Sequence, residues 1–487
     1  VSVRDETLDP IPGRLAAASD PASTGDPVVY TGDLKVFVFA LFFAFGGITS
    51  LNDVLIPKLK ALFTLSHAEG MLVQTAFFAA YLIVSMPAAV LVERIGYMRS
   101  AVAGLLLMTV GCLLFEPASA SGAFGVFLLA LFVLASGITT VQVVANPLIS
   151  MLGPAATASS RLTFAQAFNS LGTTLFPYVG SMLILGSLSR IDPARLSGAA
   201  LSAFRAAETR NVVHTYFGLA AALVLLAAVA WLRRKALTEP RAARTPLLRA
   251  FNLLARPRFG LGALCIFLYV GGEVAIGSVM VSYLMQTSVL GLPPEAAGKH
   301  VPFYWGGAML GRFIGSYVLR LVAPGKVLSL TALAVVMLLL VSANSQGWVS
   351  AYALLAVGLF NSIMFPTIFT LASDGLKERT AEGSGIICMA IVGGAVVPPL
   401  MGKVADLVNL QHGSDSAVFP KIALLVPALC YCGILAYGWY ARRPPSAPAE
   451  PPAASAQPPA ASAQPPAAAG PPPASAAPPA ASAGASA

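Results

Sequence analysis

Charge is the scarcest resource in this chain. Asp, Glu, Lys and Arg together make 10% of 487 residues, against 57% hydrophobic residues and a mean hydropathy of +0.77. A water-soluble protein of this length needs more charge than that to cover its surface, so soluble folds are excluded. Histidine is nearly absent, and His67, His214, His300 and His412 all fall in loops or at the ends of apolar segments. Gly383-Ser384-Gly385 therefore has no base with which to act as an intramembrane nucleophile. Asp53 and Asp374 lie toward opposite ends of their segments, too far apart to share a proton, and no enzyme is expected. Cysteine is limited to Cys112, Cys265, Cys388, Cys430 and Cys432, mostly within apolar stretches. There a small buried thiol is the ordinary reading, and neither a disulfide nor a metal site is expected. Residues 1–33 lack an apolar run and read as a soluble tail, not a cleaved signal peptide. The net charge of +9 is scattered beside apolar segments and nowhere gathered into a patch. The partner it suggests is a lipid bilayer and not nucleic acid.

Long apolar segments are what the chain has in abundance. A bilayer-spanning helix needs about 20 apolar residues, and the first six candidates lie at 34–56, 69–92, 100–115, 123–151, 162–185 and 212–232. Six more follow at 259–285, 301–321, 327–343, 348–372, 383–404 and 419–440. The expected architecture is an all-α membrane protein with twelve transmembrane helices, grouped as 34–234 and 259–443 around a basic linker at 235–258. The Pro/Ala/Ser repeat at 444–487 has nothing larger than Ala to bury and is expected to be disordered. Lys and Arg are retained in cytoplasmic loops. Arg94, Arg99, Arg161, Arg320, Lys377, Arg379 and the basic linker then place both termini in the cytoplasm. The outer loops keep chiefly Lys58, Lys60, Lys299 and a partly balanced insert at 187–211. The two sets resemble copies of one another: Asn146-Pro147, Arg161 and Pro177 are matched in context by Phe365-Pro366, Arg379 and Pro398-Pro399.

Polar side chains inside spans are costly, so they form the list of candidate functional residues. Asn52 and Asp53 lie in the first span, Gln142 and Asn146 in the fourth, Gln166 and Asn169 in the fifth. Spacings of four and three put each amide pair on one helix face. Amides both donate and accept, which suits a neutral polyhydroxylated ligand, whereas an anion would call for Arg or Lys clamps. The same amides could instead tie helices together at about 1 kcal/mol or less per bond. Asp53 stands about 27 Å along its helix from Lys35, Glu273 about 22 Å from Arg258, and Arg312 about 12 Å from Arg320, at 1.5 Å per residue. A direct Glu273–Arg312 ion pair is not required by those heights. Glu273 stays a site candidate, and Arg312 reads as structural.

Several motifs carry a family resemblance. Glu93-Arg94-Ile95-Gly96 with Arg99 resembles the signature between the second and third spans of the major facilitator superfamily, with Ala89 in place of its leading Gly. Within that superfamily the chain resembles the fucose:proton symporter family and its glucose/galactose branch. The likeness rests on Leu51-Asn52-Asp53, Gln142-Val143-Val144-Ala145-Asn146-Pro147, the run from Arg161 to Ser170, Tyr269-Val270-Gly271-Gly272-Glu273, the run from Tyr304 to Gly315, and Phe365-Pro366. The resemblance implies two pseudo-symmetric six-helix bundles that alternately expose a central site. It also implies import of a hexose, glucose or galactose, by cation symport across a bacterial inner membrane, by a monomer. Another monosaccharide (fucose, mannose or an amino sugar) and a membrane sugar sensor without flux stay open as alternatives. Fucose symporters of this family use a first-span carboxylate, matched by Asp53, and a fourth-span Glu, at whose position this chain has Gln142. On that reading Asp53 couples H⁺ or Na⁺ to sugar, with no other cofactor. Asn52, Gln142, Asn146, Gln166 and Asn169 would hold the sugar from one side, Glu273 and Asn361 from the other.

Overall fold

The computed structural model describes residues 32–63, 67–180, 182–183, 198–235, 247–412 and 422–442. The expected tails, much of the linker and part of the outer insert lie outside these residues, as do the side chains of Asn52 and Asp53. The described residues form helices, with no strand among them. The first six spans are α1 (Gly32–Phe63), α2 (His67–Ile95), α3 (Tyr97–Leu113) continued by α4 (Phe115–Ser121), α5 (Phe124–Met151), α6 (Ala158–Gly180) and α7 (Gly198–Leu232). The second six are α8 (Pro257–Leu284), α10 (Val301–Leu321) after the short α9 (Pro294–Gly298), α11 (Pro324–Asn344), α12 (Gly347–Asn361) with α13 (Met364–Ser373), α14 (Thr380–Ala390) with α15 (Gly393–His412), and α16 (Leu425–Ala441).

Length and composition make most of these helices membrane-spanning. Nine helical stretches among the described residues are long and apolar enough to cross a bilayer. Leu225, Leu232, Leu321 and Leu429 stand largely exposed on their outer faces, a surface too apolar to face water. The spans missing from those nine are α6, α10 and the short α16. Polar residues dilute α6 and α10, and these two pack against each other. The sequence thus sets its least lipid-compatible helices where another helix, and not lipid, covers them.

Within the first set α1 packs on α6, and α5 on α2 and α3; within the second α8 packs on α13, α15 and α16, and α12 on α10 and α11. Between the sets, α2 and α5 meet α14, and α6 meets α10 and α13. The hydrogen bonds described across that boundary cluster toward the end that carries Arg161, Arg320 and Arg379. Ser159 and Thr370 hydroxyls lie 2.5 Å apart, Ser160 donates to Ser316 O at 2.6 Å, and Arg320 Nε donates to Ser160 Oγ at 3.2 Å. On the other flank Ser384 Oγ donates to Val143 O at 2.8 Å. Gly385 fits there because a Cβ would stand 2.7 Å from Ala89 Cβ, closer than packed carbons tolerate. The basic end of the molecule is therefore closed.

Two features differ from the loop pattern expected of the opposite end. Lys58 does not lie in a loop: α1 continues past it to Phe63, and its fully buried ammonium pairs with Glu208 at 2.6 Å. Glu208 comes from α7, which begins at Gly198, so the second half of the 187–211 insert is helix. Pairing neutralises both charges, which lets two spans extend beyond their apolar segments. At the basic end, part of the linker also has structure. Leu247–Ala255 forms a 3-10 helix that buries Ala250 and Leu253, and Arg379 donates to Arg249 O at 3.3 Å.

Candidate substrate site

In the second set of helices the site is built around a helix break. Asn361 is the last residue of α12, and α13 resumes only at Met364, so the side chain leaves an interrupted span near its middle. Interrupted helices free polar groups that a cavity can use. Asn361 Nδ2 donates to Tyr304 Oη of α10 at 2.9 Å and to Tyr431 Oη of α16 at 3.3 Å. Tyr304 in turn donates to the Glu273 carbonyl of α8 at 3.4 Å, and Tyr269, one turn before Glu273, donates to Glu273 Oε1 at 2.7 Å. Glu273 and Asn361 are thus brought together, as one network with three tyrosines. Asn361 is fully buried, and its Oδ1 has no hydrogen-bond partner. A buried acceptor left so costs about 1–3 kcal/mol, a cost that a ligand hydroxyl removes.

The first set presents the same chemistry on α5. Gln142 Oε1 lacks a hydrogen-bond partner, and the fully buried Asn146 amide meets no N–H or oxygen partner, with the Cys388 thiol of α14 beside it. Asn146 lies one turn nearer the basic end, and the Ser384 bond to Val143 brings α14 against this stretch of α5. Gln142, half-buried, is the more central of the two. On α6, Gln166 is buried and its carbonyl accepts from Arg312 Nη1 of α10 at 3.2 Å. Asn169 is used differently: Nδ2 donates to Phe42 O of α1 at 3.3 Å. A Cβ at Gly46 would collide with the Asn169 side chain, so only Gly lets α1 come this close. That geometry is a helix tie. Asn52 and Asp53 belong to α1 by backbone, with side chains outside the described residues.

Arg312 lies between the two halves. It donates to Gln166 O, to Ser170 Oγ of α6 and to Ser362 O at 3.3 Å. Glu273 forms no ion pair among the described residues. Sequence reasoning passed over Tyr269, Tyr304 and Tyr431. The available signals were a Tyr one turn before an intramembrane Glu, and hydroxyl-bearing aromatics inside apolar spans. Among the described residues no three His, Cys, Asp or Glu side chains group as a metal site. What remains is a mid-span set of amides, tyrosine hydroxyls and one carboxylate, suited to hydrogen-bonding a neutral polyol.

A sequence model of the Major Facilitator Superfamily matches residues 37–399. The chain belongs to the major facilitator superfamily. It is accordingly a membrane transporter and not an enzyme. Among curated members it is 45% identical over 399 residues to the glucose/galactose transporter of Brucella abortus, covering 82% of this chain and 91% of that one. It is 42% identical to a putative glucose/galactose transporter of Helicobacter pylori, covering 82% and 94%. It is 32% identical to the L-fucose-proton symporter of Escherichia coli, covering 82% and 90%. Among solved structures it matches the major facilitator transporter FucP in the outward conformation, with a TM-score of 0.75, 30% identity, and coverage of 85% of this chain and 99% of that one. The superfamily's twelve-helix fold in two six-helix halves accounts for the paired sets of spans described above.

Proposed function

We propose that this chain imports a hexose, glucose or galactose, together with a proton across a bacterial inner membrane. The observation that carries the reading is the pair of unpartnered acceptors, Gln142 Oε1 and Asn361 Oδ1, offered at mid-span by opposite halves. A sugar ring between them donates its hydroxyls to both, while Asn146, Gln166 and Glu273 extend the polar lining. Names of relatives support the sugar: one of those compared is named a glucose/galactose transporter and another a putative one. The proton is favoured over Na⁺ by the relative named a proton symporter. Asp53, a carboxylate in α1, is the coupling group: inside a span it is tolerable when protonated, paired or holding a cation.

The excess of Lys and Arg assigns the basic end to the cytoplasm. The closed basic end is then the cytoplasmic gate, and the molecule faces outward. Rocking of the two halves opens that gate and closes the other. Counterflow in proteoliposomes tests the assignment, with glucose, galactose, fucose, mannose and an amino sugar as the trans sugar. Glucose or galactose should drive it; exclusive response to fucose would transfer the assignment to the fucose branch, and silence with every sugar that still binds would make the protein a sensor.

A further inference from the structure

The hydroxyls along the seam between α6 and the second half fall into two layers. The layer at the basic end is satisfied: the Ser159 and Thr370 hydroxyls lie 2.5 Å apart, and Ser160 donates to Ser316 O at 2.6 Å. One turn deeper, Thr163 on α6 and Thr367 on α13 are fully buried, and neither hydroxyl has a hydrogen-bond partner. Thr163 lies four residues past Ser159 and Thr367 three before Thr370. Because α6 leads away from the basic end and α13 leads toward it, both stand about 5 Å inside the gate bonds, at 1.5 Å per residue. A Cβ at Gly315 would stand 3.9 Å from Thr163 Cγ2 and against Ile363 Cγ2, so Thr163 reaches between α10 and α13. Asn146 stands at the same level, five residues from the end of α5 at Met151, as Thr163 is five from the start of α6 at Ala158. Its amide meets no N–H or oxygen partner, with the Cys388 thiol beside it. Gln142 and Asn361 lie one to two turns deeper.

A helical threonine can donate to the carbonyl one turn back, as Thr140 does to Ser136 O at 2.9 Å and Thr370 to Pro366 O at 3.0 Å. Thr163 and Thr367 make no such bond. Valine has the same shape and no polar group to strand, so these two hydroxyls weaken the sealed seam where valine would not. The penalty is relieved when the seam opens. The hydroxyls then face the passage between the sugar site and the basic mouth, and with Asn146 they offer donors and acceptors from both halves.

We propose that Asn146, Thr163 and Thr367 form an inner sugar subsite, exposed only when the basic end is open, which takes hydroxyls of the monosaccharide between the central site and the cytoplasm. The proposal rests on the sugar-transport reading above and makes it sided. Gln142 and Asn361 serve sugar arriving from either face, whereas Thr163 and Thr367 serve it only from the basic one.

The test measures half-saturating concentrations of radiolabelled glucose or galactose for the full chain in inside-out and in right-side-out membrane vesicles. Thr163→Val and Thr367→Val keep the shape and remove the hydroxyl. Each should raise the value at the basic side about fivefold, the scale of one neutral hydrogen bond, and leave the value at the other side within about twofold of the parent. Thr163→Ser and Thr367→Ser keep the hydroxyl and should stay near the parent. Monodeoxy analogues of the same sugar identify the contact: at least one should lose about fivefold from the basic side in the parent and nothing further in the matching Val variant. Four results would each overturn the subsite: an equal shift at both sides, no shift at the basic side, a Ser variant shifted as far as its Val counterpart, or losses additive with Thr→Val for every analogue. The last would assign the hydroxyls to hydration of the open passage. Any of these in a parent that shows counterflow removes the subsite and leaves the sugar assignment standing, whereas a parent silent with every sugar refutes the sugar assignment and the subsite with it.

Discussion

Replacing Gln142 by Ala separates a ligand contact from a packing contact more cleanly than any other change at the site. Gln142 Oε1 is buried and has no protein partner, so truncation breaks no bond to that oxygen. In the sugar complex the same truncation strands a hydroxyl that had an acceptor. A stranded buried polar partner costs about 1–3 kcal/mol, which at about 1.4 kcal/mol per decade is roughly a 5- to 150-fold loss of affinity. Binding of radiolabelled glucose or galactose to the purified protein measures the first quantity, and thermal unfolding in detergent the second. The expected pattern is weakened sugar binding with an unfolding temperature within about 2 °C of the parent, the range of a near-neutral change. An unchanged affinity accompanied by a lower unfolding temperature would refute the argument and return Gln142 to a helix tie.

Asn169→Ala should give the reverse pattern, because its amide is bonded to Phe42 O and wedged against Gly46. A loss of about 1–2 kcal/mol of stability, with sugar affinity close to the parent, is expected in the same two assays. Lys58→Met leaves Glu208 without its ammonium and should cost about 3–5 kcal/mol, the range for breaking a buried pair. The double change Lys58→Met with Glu208→Met should recover most of that in detergent unfolding, whereas equal losses in single and double variants would mean that the pair does not hold α1 to α7.

The helices were more legible in the sequence than the site. Apolar runs located the twelve spans, since the requirement to satisfy every backbone group inside a bilayer leaves helices as the economical solution for such runs. Their ends were less legible. Lys58 and Glu208 look like loop charges in isolation, and only their proximity across 150 positions turns them into helix residues. The amide faces on α5 and α6 were visible as i, i+4 and i, i+3 spacings, yet spacing could not tell that Gln142 has a free oxygen while Asn169 is tied to α1. Periodicity reports which face of a helix is polar, not what the face meets. For the same reason the Tyr269–Glu273–Tyr304–Asn361–Tyr431 network was hidden: its members come from four spans, and nothing local joins them. Arg312 read as structural from its height alone. Its bonds to α6 place that structural role on the boundary that must open.

Coupling is the step on which the whole reading of this chain as a symporter depends, and Asp53 can be tested there without disturbing shape. Asp53→Asn removes the titratable group while keeping an amide of the same size. In proteoliposomes holding the parent protein, an imposed proton gradient should drive accumulation of glucose or galactose, and a sodium gradient at equal pH should not. Asp53→Asn should abolish the accumulation while sugar-for-sugar exchange continues, since exchange needs no net proton movement. Accumulation by Asp53→Asn as great as by the parent under the proton gradient would sink the coupling role and leave Glu273 as the remaining carboxylate of the site to carry it.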